Sequence, residues 1–466
     1  MTGRPAMRTP AARTAGDAPA DGANLLVGGF GPLAGETSPG IEWLHLTRVP
    51  HDGGSPSHAG GAPDAGVDPD DGDGVAVSPR FVLFDVPSPT WLASRDDLVL
   101  AVLENTGELA SFRWEPEGDG RHMYGPFHID GPSMKLLSRV PVPGSGPTHA
   151  AACLDDRGEG RVVVADYGDG TIAVHPLDAA GRLGIALQTL RPDPKDGHGP
   201  LPAQDGPHAH WALPLPDGRL LTTDLGTDRI HVHRWHAGRL VRIGSVVLAP
   251  GTGPRDMHVL PMSGGGWRVA VVGEWGNDVT VLEPYDPRPG RGASACEADG
   301  EDPDGGMRVV QRIALGGVEG DQAASLAFVP GVLATDASGP DADAPDEDGF
   351  APGGDGGADA AVGDGPDDHG GWGEAAFGMV YVGLRGSDRI VVLRWRDGAL
   401  SMPRRGVSVP SGGGRPRHIL ALDRLLVVSN ETSSRVAFFR VGADGVPMPV
   451  GGTLVGSPTV ALPMRR

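Results

Sequence analysis

One pattern constrains this chain more than any other. A unit of two short strands joined by a tight polar turn is written into it seven times. Each copy is an apolar run, a turn carrying Gly, Asp or Asn, and an alternating run that ends in an aromatic residue or Leu. The copies are LVLAVLENTGELASFRW from Leu98, RVVVADYGDGTIAVHPL from Arg161, RLLTTDLGTDRIHVHRW from Arg219, RVAVVGEWGNDVTVL from Arg268, MVYVGLRGSDRIVVLRW from Met379 and RLLVVSNETSSRVAFFRV from Arg424, with a looser one, LLVGGFGPLAGETSPGIEWLHL, from Leu25. Such a unit cannot bury both of its faces alone, so copies must stack until the array closes. No long segment has helical periodicity. A β-helix needs a shorter period, and a sandwich leaves seven similar units unexplained. The pattern predicts an all-β fold, a seven-bladed β-propeller with four-stranded blades, over residues 24–466. The N-terminal copy reads as half a blade, which predicts closure of the ring by strands from both ends.

Composition bears on what lies outside that pattern. Gly (75) and Pro (45) punctuate the apolar runs but also crowd into acidic tracts. Residues 51–76 and 336–370 read as disordered inserts, the second with eleven acidic side chains and no Lys or Arg, since such tracts cannot bury enough apolar surface to offset their ordering. Calcium ligands at EF-hand spacing are missing from it. Residues 1–23 contain arginine but no apolar core of a secretory signal and read as a disordered tail. Lys135 and Lys195 are the only lysines, and the net charge of −21 argues against a nucleic-acid partner. No apolar run is long enough for a membrane-spanning helix, so no membrane partner is expected. Cys153 and Cys296 sit in dissimilar contexts, so no disulfide is expected and a reducing cytoplasm fits. A monomer or weak homodimer is expected.

A second repeat lies just before the hairpins. Turns ending in proline lead into a strand that should line the axis: PSPTW at 87, GPTH at 146, GPHAH at 206, GPRD at 253 and RPRH at 415. The residues directly after these prolines are Thr90, Thr148, His208, Arg255 and Arg417. A packed core calls for Val, Ile or Ala at such places, and all five are polar. Equivalent positions thus aim polar and cationic groups at one end of a central channel. His-x-His at 208 and 210, with His149 or Glu274, is the alternative set for a zinc-type ion. Interleaved arginines oppose a bound cation, so neither metal nor cofactor is expected.

The segments GPTHAAACLDD, GPHAHWALPLPDGRLLTTDLGTDRIHV, GTGPRDMHVLP and GRPRHILALDRLLVVSNETSSRVAFF resemble the lactonase family of seven-bladed propellers, from about residue 24 to the C-terminus apart from the inserts. That family includes propeller-type 6-phosphogluconolactonases and 3-carboxy-cis,cis-muconate lactonizing enzymes. The resemblance implies catalytic roles for His208, Arg255, Glu274 and Arg385, a small anionic lactone as substrate, and a place in the pentose phosphate pathway. His149, His210, Arg417 and His418 are the expected substrate-binding residues. Three departures stand in these motifs: Asp256 where the family usually has His, GLRG for Asn-Arg-Gly, and AASL with Ser325 for Ala-Ala-Glu-Ile.

The chemistry of lactone opening suits these residue types. A histidine can activate water as a base. Arginines can stabilise the developing oxyanion or clamp a phosphate or carboxylate. Glu274 would orient the histidine or an arginine, or serve as a plain ion-pair partner. The expected activity is metal-independent hydrolysis of an anionic sugar lactone of the 6-phosphogluconolactone type. The alternatives are a carboxymuconate-type lactonizing cycloisomerase and a non-catalytic propeller that binds a metabolite or partner.

Overall fold

A computed structural model of the chain describes residues 22–49, 74–124, 127–285, 305–332, 376–403 and 407–464. The expected tail (all but its last two residues), the acidic insert 336–370, most of 51–76 and Cys296 lie outside the described residues. Seven antiparallel sheets surround one axis. Blade 2 shows the plan, with strands Pro89–Arg95, Leu98–Leu103, Glu108–Tyr124 and Phe127–Pro141 running from the axis outward. Blades 3, 4, 5 and 7 repeat it, with inner strands Pro147–Leu154, Ala209–Pro214, Pro254–Pro261 and Pro416–Leu422. Blade 6 begins at Ala323–Pro330, and its outer strand is split into Ala399–Ser401 and Ser408–Pro410. Blade 1 closes the ring: the C-terminal Pro458–Met464 is its inner strand, and Ala23–Gly29, Ile41–Val49 and Gly74–Phe84 are the other three. Both ends do close the ring: the N-terminal copy supplies the second and third strands, Gly74–Phe84 adds the fourth, and the C-terminal strand is the first. Gly74 begins a strand, so the insert in blade 1 ends earlier than the composition implies.

Each repeated hairpin proves to be the second and third strands of a blade. Second strands such as Leu98–Leu103 are buried along their whole length because blades cover both faces, which explains their continuous apolar runs. The turn that follows needs one left-handed residue, and Gly107, Gly170, Asp228, Asn277 and Asp388 fill that place with φ between 45° and 70°. Gly, Asn and Asp tolerate this region best, which explains the composition of the turns. The core lies between blades. Trp395, next to last in the third strand of blade 6, is fully buried against blade 5 beside Leu260 and Val272, and its Nε1 donates to Pro261 O at 2.7 Å. At the closure, Gly28 brings blade 1 against blade 2 so closely that a Cβ would lie 2.1 Å from Pro89 O.

The two ends of the axis are built differently. Turns between second and third strands, and the links from one blade to the next, lie at one end. Hairpins joining first to second and third to fourth strands lie at the other. Residues 50–73, 286–304 and 333–375 all leave from this second end, as Val49 pairs with Gly74, Pro284 with Met307 and Pro330 with Gly378. Among the described residues no helix is long and apolar enough to cross a membrane.

Candidate active site

The inner strands begin with a shared bulge. Pro147 stands opposite Asp166, the register then slips, and His149 stands opposite Ala165. Blades 2, 5, 6 and 7 slip at the same place. The residue inside the slip points into the mouth of the channel: Thr90, Thr148, Arg255, Ala324 and Arg417 in these blades. Blade 4 departs in sequence but not in register. Ala209 stands opposite Asp224 and Trp211 opposite Thr223, so His210 occupies the place of Thr148 and Arg255. Alignment on the prolines shifts this blade by two residues, because Pro207 is not the strand's first residue. His208 instead holds the position of Gly146 and Gly253, and its carbonyl accepts from Leu225 N as theirs accept from Tyr167 N and Glu274 N.

That shift separates the two histidines chemically. Both ring nitrogens of His208 are engaged, Nδ1 at 2.8 Å from Tyr167 O and Nε2 at 2.9 Å from Asp205 Oδ1, and its ring stacks on Tyr167. His210 is buried on the pocket wall, and its Nδ1 has no hydrogen-bond partner. Burial, and after it Arg255 and Arg417, hold its pKa well below the usual histidine range. It is therefore a neutral imidazole at pH 7.

A second ring comes from the residue just after each second strand: Glu104, Tyr167, Glu274, Arg385 and Glu431 in blades 2, 3, 5, 6 and 7. Their amides donate to the residue before the inner strand, Ser88, Gly146, Gly253, Gln322 and Arg415, which locks the two rings together. Arg415 adopts φ 60°, a costly conformation for a side chain of its size, and Asp388 Oδ1 accepts its amide at 2.6 Å. Asp228 likewise accepts the amides of Gly251 and Gly253. Turn carboxylates thus position the segments that carry Arg255 and Arg417.

Buried ion pairs connect the rings. Arg255 donates from Nη1 to Glu274 Oε2 at 2.7 Å and from Nε to Ala324 O at 3.1 Å. Arg385 Nη2 lies 2.5 Å from Glu274 Oε1, a charge contact outside hydrogen-bond alignment, and its Nε is buried without a partner. Burial alone would raise the Glu274 pKa, but Arg385 and Arg255 outweigh it and hold the carboxyl at about 2. Burial lowers Arg385 to about 10, which leaves it charged at neutral pH. Arg417 donates to Glu431 at 2.9 Å and lies over the Phe30 ring at 4.9 Å. The pocket these groups surround opens at the end of the axis away from the long segments. Trp91, Trp211 and His418 contribute to its apolar and aromatic wall.

One layer deeper, side chains staple blades 3 to 4, 5 to 6, 6 to 7 and 7 to 1 by accepting a backbone amide of the next inner strand. His149 Nδ1 accepts from Ala212 N at 3.2 Å, and His418 Nδ1 from Ala461 N at 3.3 Å. Each therefore carries its proton on Nε2 and is neutral. Burial holds their pKa values at about 3 and about 4. Asp256 Oδ2 accepts from Leu326 N at 2.9 Å, and Ser325 Oγ from Ile419 N at 3.3 Å. This explains two of the departures: Asp and Ser each provide the acceptor that the staple requires. Asp256 also faces His258 Nε2 at 3.2 Å. His258 lies deep in the molecule yet keeps about a third of its side chain on the open channel.

Of the expected site residues, Arg255, Glu274, Arg385, His210 and Arg417 come together at the mouth. His418 reaches the pocket wall, His149 lies beneath it, and His208 is held at the rim. Glu104, Tyr167 and Glu431 were missed. The turns ENTG, YGDG and ETSS carry them at the same offset as the EWGN and RGSD of Glu274 and Arg385. Aligning the turns instead of the prolines would have found them. Among the described residues, no group of three or more His, Cys, Asp or Glu is arranged to hold a metal ion.

The fold and site define a seven-bladed propeller with an arginine-, glutamate- and histidine-lined pocket at one end of its axis. Residues 68–293 match the family described as "Lactonase, 7-bladed beta-propeller". A 6-phosphogluconolactonase of Bacillus subtilis is 30% identical over 219 residues, which cover 46% of this chain and 56% of that protein. An uncharacterized protein of Lactococcus lactis is 30% identical over 207 residues, 44% of this chain and 54% of its own length. The chain thus spans about half the length of the curated relatives it matches. Among solved structures, the periplasmic gluconolactonase PpgL of Pseudomonas aeruginosa superposes with a TM-score of 0.62 at 20% identity, over 96% of this chain and 99% of that one. A putative 6-phosphogluconolactonase from Bacteroides fragilis gives 0.63 at 18% identity, over 97% and 100%.

Proposed function

We propose that this chain hydrolyses an anionic sugar lactone of the 6-phosphogluconolactone type, without a metal. The observation that carries the reading is the neutral His210, its Nδ1 unpartnered, facing the same pocket as Arg255 and Arg417, with Arg385 bound to Glu274 beside them. In this reading His210 takes a proton from water as the water attacks the lactone carbonyl. Arginine N–H groups receive the oxyanion, and preorganised donors in a site shielded from water are worth far more than in bulk. An anionic substrate also raises the basicity of His210, because it offsets the arginines that depress it. The Bacillus relative supports the phosphorylated substrate. Proton release on adding the protein to freshly generated 6-phosphogluconolactone, with and without chelator, tests it. A rate equal to spontaneous hydrolysis refutes it.

A further inference from the structure

The lactonase reading leaves one pocket carboxyl without a part. Glu104 follows the second strand of blade 2, where blades 5 and 7 carry Glu274 and Glu431, and it lines the pocket with Thr90 and Arg417. Glu274 is clamped between Arg255 and Arg385, and Glu431 between Arg415 and Arg417. Carboxylates held in this way are occupied as acceptors for the arginines. Glu104 makes no ion pair with a described residue. Burial raises its pKa, against a weaker opposing pull from Arg417. The blade order places it two blades from His210, with Thr148 of blade 3 between, so the two groups reach the pocket from different directions.

We propose that Glu104 is the acid of the site, the group that delivers a proton to the departing ring oxygen; this rests on the lactonase reading. Water's oxygen bonds to the carbonyl carbon while its proton passes to His210. The ring C–O bond then breaks, and the ring oxygen takes the proton of Glu104. His210 returns its proton to Glu104, and the new carboxylic acid ionises, so one water is consumed and one proton released. Glu104→Gln keeps the shape and removes the transferable proton. With 6-phosphogluconolactone, we expect kcat to fall about 10²- to 10⁴-fold, the usual contribution of a positioned acid, with KM within about threefold. Glu104→Asp should regain at least about tenfold of that loss. The Tm of both variants should match the parent. A Glu104→Gln enzyme with undiminished kcat, or one whose loss lies in KM alone, overturns the assignment while leaving the lactonase reading intact. Parent protein no faster than spontaneous hydrolysis overturns that reading, and the role of Glu104 with it.

Discussion

Replacing Glu274 by Gln removes the charge between two buried arginines, and the structure sets the size of the effect. The Glu274 carboxyl moves from an ordinary 4.5 to about 2 on folding. At about 1.4 kcal/mol per tenfold change in proton affinity, the native state gains about 3 kcal/mol from this group at pH 7. That agrees with the roughly 3–5 kcal/mol lost when one partner of a buried ion pair is removed. Because the folded value is depressed, the contribution is present in full above pH 4.5 and is lost as pH falls toward 2. The stability gap between parent and Glu274→Gln should therefore be about 3 kcal/mol at pH 7 and less than half that at pH 3. Urea unfolding of both proteins at the two pH values measures it. A gap under about 1 kcal/mol at pH 7, or an equal gap at both, would refute the coupling of Glu274 to Arg255 and Arg385.

His210→Ala should lower lactonase kcat by about 10²-fold or more, while His208→Ala stays within about tenfold of the parent; the reverse order would return the base to His208. Trp395→Ala should cost about 3–5 kcal/mol in denaturant unfolding, since it empties a buried site between blades 5 and 6 and frees Pro261 O; a loss below 1 kcal/mol would mean that the interface recloses. Replacing residues 338–370 by a short Gly/Ser linker should leave Tm and activity nearly unchanged. The flanking strands are already paired there, with Gly331 N donating to Phe377 O, and loop closure depends weakly on length. Loss of activity with the fold intact would make the segment part of the site.

The residues alone determined the propeller. The seven hairpins, their apolar runs and their left-handed turn residues are local signals, each requiring that both faces be covered, so the number of copies is the number of blades. The polar character of the axial mouth was equally legible, because Thr, Arg and His stand where a packed core would not tolerate them. The pairing of Arg255 with Glu274 and Arg385 was only a set of residue types at suggestive offsets.

Tertiary structure decided which histidine faces the pocket and which carboxyl is free. In GPHAH both histidines lie two apart on one strand face, so periodicity cannot separate them. The pairing of Ala209 with Asp224 does, by placing His210 inside the bulge and tying His208 to Tyr167 and Asp205. Glu104, Glu274 and Glu431 are alike as local sequence, each one residue past a second strand. Their chemistry diverges only when the fold brings Arg255 of the same blade and Arg385 of the next to Glu274, brings Arg415 and Arg417 of the same blade to Glu431, and leaves no arginine within ion-pair reach of Glu104. A backbone pattern repeats with the blade, but a side chain's ion pairs depend on which residues its own inner strand and the next blade present, and Arg385 reaches Glu274 from a different blade.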